Sequence, residues 1–325
     1  RGREAEIKTD SVAPEQVLRK FTDIYAEINP DLVVTAAHAT QKNLEMPYSL
    51  GNLKPRDGKL YAEDRFTKEE WNLEDSGKRK VYAAVGNCLI GDMNNTPQSM
   101  AAAWLNGSNA ATMIGYVVTT WHGRNGWGAL KYWVTNPSRY TLAEATYINQ
   151  QDFLHQQNEW YPTLIDEKYD FSSDDFMTEL TTAANRISEV VGREIDMENA
   201  HDWDMMGFWH DRDVVVYYGD PKWQVNLQAV AGEEDYTISS AMRNDKYVVT
   251  ITTGANFSLE QMRGDKFKQE HVLDLPFSYM FPKRRNSPRV AAGQEWQVAL
   301  DENFLIVYNA EFEPESTYEI VINVE

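Results

Sequence analysis

"VYAAVGNCLIGDMNNTPQSMAAAWLNGSNAATMIGYVVTTW", residues 81–121, carries the pattern that decides the fold. Its first part, "VYAAVGNC" (81–88), is an apolar run that reads as a buried strand ending on Cys88. "TPQSMAAAWLNG" (96–107) reads as a helix, with Thr96 as N-cap, Pro97 at the first position, an alanine-rich body and Gly107 past the end. "ATMIGYVVTTW" (111–121) reads as another buried strand. Strand, helix and strand in that order predict a parallel α/β sheet. Such sheets bind ligands outside the carboxyl ends of their strands.

Working outward, "DLVVTAAH" (31–38) is a third apolar run and ends on His38. A helix over 14–28 precedes it, opened by Pro14 and stopped by Asn29-Pro30. His38, Cys88 and Trp121 therefore all fall at strand carboxyl ends. The polar stretch 39–80 has turn signals at Pro47, Gly51 and "PRDG" (55–58), and reads as a long functional loop with a hairpin around Lys59 to Ala62. Downstream, 173–192 is an amphipathic helix closed by Gly192, and "DVVVYYGDP" (213–221) reads as the last strand of the α/β sheet. From about Trp223 the apolar runs turn short and β-type, as in "KYVVTITT" (246–253) and "NFLIVYNAEF" (303–312). They predict an immunoglobulin-like sandwich. The expected division is an α/β domain over 1–225 and an all-β domain over 226–325.

Composition narrows the partners. The chain of 325 residues has 31 Lys and Arg against 50 Asp and Glu, a net charge of −19. That field opposes phosphate backbones and anionic lipid, so no nucleic-acid partner is expected. No apolar run approaches the length of a membrane span. The N-terminal "RGREAEIKTD" has no signal-peptide core, so the chain is expected to be cytosolic or a mature piece of a secreted precursor. A single cysteine excludes an internal disulfide and a Cys-rich zinc site.

That cysteine is either a buried filler or a nucleophile. A cysteine peptidase needs a thiolate, an imidazole that moves the proton, and N–H donors for the developing oxyanion. His38 and Cys88 are 50 positions apart, about the histidine-first separation seen in caspases. The wording adds to the spacing. "VYAAVGNCLIGDMN", with "NGSNAATMIGYVVTTWHGRNGWGALKYW" after it, resembles the catalytic region of the gingipain family of cysteine peptidases. "DLVVTAAHAT" is similar to that family's histidine strand, and "VVVYYGDPKW" to the Gly-Asp-Pro close of its peptidase domain, after which an immunoglobulin-like domain follows. The resemblance covers roughly residues 30–225.

Carried over by position, the resemblance implies a caspase-like sheet, Cys88 as nucleophile and His38 as general acid/base. It implies an oxyanion hole from the backbone N–H groups of Cys88 and Ala39, and Trp121 near the substrate pocket. It further implies a polypeptide substrate, a bacterial secreted or cell-surface setting, no required cofactor, and room for structural calcium. Two departures stand out. The family has His-Gly where this chain has His38-Ala39, and a Cβ there narrows the approach of substrate backbone while leaving the N–H. The family also carries a smaller lobe before the histidine strand, whereas 37 residues precede His38. A lobe that is lost, degenerate or supplied by another chain of the same precursor is the corresponding expectation. The alternative function is a non-catalytic relative serving as an adhesion or glycan- or protein-binding module.

Other candidates carry less. His122-Gly123 has the family dipeptide but follows the cysteine. "HDWDMMGFWHDRD" (201–213) gathers His201, Asp202, Asp204, His210, Asp211 and Asp213, yet its histidines lack i, i+4 spacing, and a solvated approach to the last strand is the expectation, with no metal. His155 and His271 read as structural. Asp31 and Glu45 lie near His38 in sequence only.

Overall fold

Turn chemistry organises the first part of the chain. In a computed structural model, which describes residues 14–74, 77–121, 123–168, 175–196, 198–227, 235–267 and 272–325, helix α1 (Pro14–Ile28) is followed by strand β1 (Leu32–Thr35). Five short strands come next: β2 (Ala39–Thr40), β3 (Asn43–Glu45), β4 (Gly51–Arg56), β5 (Lys59–Asp64) and β6 (Glu70–Asn72). They pair antiparallel in sequential order. The stretch read as a loop is therefore largely a sheet. Leu53, Leu60 and Ala62 are buried while Lys and Glu residues occupy the other face, so the run averages out as polar although its period is that of a strand. The expected turn at "PRDG" does close a hairpin. Asp57 and Gly58 both have positive φ, 50° and 72°, and join the paired residues Arg56 and Lys59, as a type I′ turn requires.

β7 (Lys80–Ala84), α2 (Met100–Asn106) and β8 (Ala110–Tyr116) complete the predicted strand–helix–strand unit. β1 and β8 flank β7 and run parallel to it. Helix α2 starts later than the Thr96-Pro97 reading. Ser99 is the cap, its hydroxyl accepting the Ala102 N–H, an arrangement worth about 1 kcal/mol. Trp104 of α2 stacks on Tyr82 at 4.0 Å between centroids. These rings share one core with Leu18 of α1 and with Leu44, Leu53 and Ala62 of the meander.

Four longer helices follow: α3 (Arg124–Thr135), α4 (Leu142–Trp160), α5 (Phe176–Val191) and α6 (Ala200–His210). Gly192, at φ 72°, ends α5 as expected. β9 (Val215–Gly219) then joins the sheet beside β8, but antiparallel. The order is β1-β7-β8-β9, so the α/β sheet is parallel except at this edge.

The chain packs as two compact units, residues 1–127 with 166–225, and 128–165 with 226–325. The second unit thus holds all of 226–325 together with the helical segment 128–165. Its strands are β10 (Tyr236–Arg243), β11 (Lys246–Thr253), β12 (Phe277–Met280), β13 (Arg289–Val290), β14 (Val298–Asp301), β15 (Phe304–Val307) and β16 (Thr317–Asn323). A short helix, α7 (Leu259–Met262), lies between β11 and β12. Two antiparallel sheets result, β10-β11-β16-β13 and β12-β15-β14. Val249 and Ile251 of one share a core with Phe277, Leu305 and Val307 of the other. The four-plus-three division is that of an immunoglobulin-type sandwich, but the order is not. The last strand pairs with β11, whereas in the immunoglobulin order it belongs to the three-stranded sheet. Apolar runs reveal how many strands there are; which of them pair is set by contacts distant in sequence.

Candidate functional site

Parallel neighbours deliver the ends of β1 and β7 side by side. The strands themselves stop at Thr35 and Ala84, short of the expected His38 and Cys88, and both residues ride on the turns beyond. Val85 N–H donates to the Thr35 carbonyl at 3.0 Å, which extends the pairing by one step. Asn87 then ties the two turns together. Fully buried, it accepts from the Thr35 hydroxyl at 2.7 Å and donates to the Ala37 carbonyl at 2.9 Å. A second tie runs from the Gln41 amide to the Asp92 carboxylate at 3.0 Å. The residues immediately before His38 and before Cys88 are therefore bonded to one another. His38 is exposed and Cys88 is half-buried.

The turn that carries the thiol is tight. Leu89, directly after Cys88, has φ 58°, a left-handed conformation that costs a side chain with a Cβ about 1–2 kcal/mol. Its N–H bonds Val118 at 3.1 Å and the Gly91 N–H bonds Tyr116 at 2.8 Å, which hold the strained turn against the end of β8. A Cβ on Gly91 would stand 2.8 Å from the Gly115 carbonyl, so the glycine of "IGD" meets the glycine of "IGY" for lack of room. On the other side, a Cβ on Gly126 would stand 2.7 Å from the Val85 oxygen, and Trp127 lies beside Gly86. The tryptophan-rich segment thus packs down on the cysteine turn.

Asn87→Ala should take from the half-buried Thr35 hydroxyl one of its two partners, the Tyr82 hydroxyl at 2.9 Å remaining, and from the half-buried Ala37 carbonyl its amide donor, at a cost of about 1 kcal/mol. Urea unfolding would register the loss. A stability within error of the parent would mean that Asn87 is not what binds the turns.

The histidine side has its own frame. Glu45 N–H donates to the His38 carbonyl at 2.8 Å, and Ala39 pairs with Leu44, so His38 and Glu45 stand directly across from each other. Opposite residues of an antiparallel pair point to one face with Cβ atoms about 5 Å apart. Glu45, near His38 in sequence only as far as the residues told, is thus its cross-strand neighbour. By the alternation of the ladder the Ala39 N–H is directed away from β3, toward the open side of the edge strand β2. Ala39 itself is buried.

Trp121 sits deeper than a pocket wall. It is 7% exposed and packs on Trp203 at 4.3 Å between centroids and on the bare Cα of Gly207. His122 lies outside the described residues, as does His271. No family model, curated protein or solved structure matches this chain.

The acidic segment 201–213 corrects one expectation. Asp202, His210 and Asp211 are buried, not solvated. Asp202 takes a bidentate ion pair from Arg193. Asp211 accepts from the Trp121 N–H at 2.7 Å, from the Tyr116 hydroxyl at 3.1 Å, and more loosely from the Thr120 hydroxyl and the Asn125 N–H. It is the peg around which the 116–125 loop is wound. Burial pushes its carboxyl up to about 7, against the donors from Trp121, Tyr116 and Asn125. His210 is shifted the other way, its charged form disfavoured by burial. The α6 periodicity hid all this, because the helix is apolar on every side and its acids read as surface. Among the described residues no group of three or more His, Cys, Asp and Glu is placed to hold a metal ion, and no helix is long and apolar enough to cross a membrane.

Proposed function

We propose that the first unit is a gingipain-like cysteine endopeptidase, with a caspase-type arrangement of its parallel sheet. The observation that carries this reading is the Asn87 tie, which bonds the His38 turn to the Cys88 turn while His38 is exposed and Cys88 only half-buried. In the proposed step the imidazole of His38 takes the Cys88 proton and the sulfur attacks the peptide carbonyl carbon. The C–N bond breaks, His38 protonates the leaving amine, and a thioester remains. Water then attacks the thioester with His38 as base, releasing the carboxylic acid and restoring the thiol. The Ala39 N–H, with that of Cys88, is assigned to the oxyanion. Trp121 acts from beneath the pocket, as support for the loop above it. Structural calcium has no part in this chemistry, and export to a bacterial surface rests on the family resemblance alone.

Alkylation tests the thiol. A poised cysteine reacts with iodoacetamide faster than free cysteine does near neutral pH, and a packed filler hardly reacts. Fast labelling at Cys88 that also stops cleavage of a fluorogenic peptide library supports the reading; labelling without any cleavage favours the non-catalytic relative, for which the Ala39 Cβ speaks.

Glu45, opposite His38 across the strand pair and with its carboxylate accepting from the Ser49 hydroxyl, is assigned the role of positioning His38, a role the resemblance left empty. Glu45→Gln is expected to lower kcat by about tenfold to a hundredfold, to leave KM nearly unchanged, and to move the acid limb of the pH–rate profile. An unchanged profile would remove Glu45 from the site.

A further inference from the structure

The second unit holds a cleft that the proposed peptidase chemistry does not use. It has a volume of about 670 Å³ and opens between one face of α4, the segment 273–276 and the start of β14. That size is within the range that encloses small organic ligands. One wall is aromatic. His155 lies flat on Tyr308, 4.3 Å between centroids and 15° between planes. Trp160, at the end of α4, is 36% exposed and lines the same space. Residues 155, 156, 159 and 160 fall on one side of that helix by its periodicity.

The aromatic wall is held from below. The Tyr308 hydroxyl donates to buried Asp152 at 2.9 Å, and the same carboxylate accepts from Tyr132 at 2.9 Å and from the Gln156 amide at 2.8 Å. Burial raises the Asp152 carboxyl, and the three donors oppose that rise. A tyrosine anchored in this way keeps its ring in place without a ligand, which lowers the ordering cost of binding.

The rim fixes the chemistry of the occupant. Glu159 supplies acceptors, Gln297 supplies an amide donor and an acceptor, and Gln156, one amide hydrogen of which is given to Asp152, supplies its carbonyl and its second N–H. Charge is negative by one: among the described residues Glu159 stands alone, Asp274 is engaged by Lys131 at 3.6 Å and Arg263 by Glu311 at 2.8 Å. An anionic ligand finds no free cation among these groups, and an ammonium, being donor-only, leaves the amide donors unused. A neutral molecule with one apolar face and a ring of hydroxyls satisfies both wall and rim.

We propose that this cleft is a carbohydrate-binding site that takes neutral sugar rings, their C–H faces against Trp160 and the His155–Tyr308 stack, and their hydroxyls on Glu159, Gln156 and Gln297. The proposal is independent of the peptidase reading.

The test is calorimetric titration of the full chain with cellotetraose, maltotetraose and chitotetraose, beside tetralysine as the cationic control. At least one of the oligosaccharides is expected to bind saturably with a Kd below about 1 mM. Trp160→Ala, a change at an exposed helix end, should weaken it about tenfold or more, whereas Cys88→Ala should leave it unchanged. Tyr308→Phe keeps the ring and tests the Asp152 tether, and a smaller loss is expected. Absence of saturation by all three sugars up to about 10 mM, or binding that Trp160→Ala does not weaken, overturns the proposal. So does a Trp160-dependent affinity for tetralysine in place of sugar.

Discussion

Cys88→Ala is expected to fold as the parent does and to cleave no peptide above the uncatalysed rate. The residue is half-buried on a turn, so the lost sulfur costs little packing, and circular dichroism and urea midpoints should move by less than about 1 kcal/mol. The rate effect is of another order. Without the sulfur no thioester forms, and His38 has no nucleophile to deprotonate. His38→Ala should lower kcat by about 10³-fold or more. The double variant should be no worse than either single one, because groups that act in one step lose their effect together. Two outcomes would end the assignment: cleavage that survives Cys88→Ala, or losses that multiply in the double variant.

The second large effect concerns Asp211. Asp211→Ala removes the acceptor for the Trp121 N–H, the Tyr116 hydroxyl and the Asn125 N–H at once. The Trp121 N–H and the Tyr116 hydroxyl lose a buried acceptor at about 1–3 kcal/mol each, so a drop in stability of at least about 2 kcal/mol and a fall in Tm of roughly 5 °C or more follow. Asp211→Asn separates charge from shape. With its carboxyl raised to about 7 in the folded chain and near 4 when unfolded, Asp211 holds its proton only in the folded state between those values. Protonation stabilises the fold there, and the stabilisation is lost as pH rises through about 7, at about 1.4 kcal/mol per pH unit. The hydroxyls of Tyr116 and Thr120 can rotate to accept that proton, whereas the two N–H groups stay donors. Urea denaturation of parent and Asp211→Asn from pH 5 to 8 isolates the effect, since other acids cancel in the difference. The parent's advantage should shrink with rising pH and level off above about 7. An advantage that grows with pH would mean that the donors outweigh burial.

Much of the α/β sheet was legible because burial on both faces of 80–84 and 110–116 leaves apolar runs, and the edge strand 32–35, read as apolar too, is only half-buried with Val34 exposed. The alanine-rich helix was legible too, although Ser99 competes with Thr96 as cap and wins through its bond to Ala102. The five-stranded meander was not, because its strands are two to six residues long and carry charge on one face. The direction of β9 and the pairing of β16 with β11 were also hidden, since orientation and partner depend on residues far along the chain. At the site, Cys88 and His38 stood out by residue type and position. Asn87 did not, and Glu45 and Asp211 were visible only as acids of no assigned partner. An amide that bonds across 52 residues, a glutamate opposite a histidine on a neighbouring strand, and an acid enclosed by a loop leave no periodic signal.

The Asn87 contacts bear on the order in which the molecule is made. The β4–β5 hairpin closes around two residues, a microsecond event. The β1–β7 pairing must instead wait until the intervening segment, meander included, has looped out, because non-local contacts repay their closure entropy only once formed. The amide locks Thr35 and Ala37 only after that zipping. A refolding chain should therefore acquire most of its hairpins while its thiol is still ordinary. Under the proposed peptidase reading, reactivity at Cys88 becomes a late clock for folding, and a newly made chain cleaves nothing until the sheet is complete.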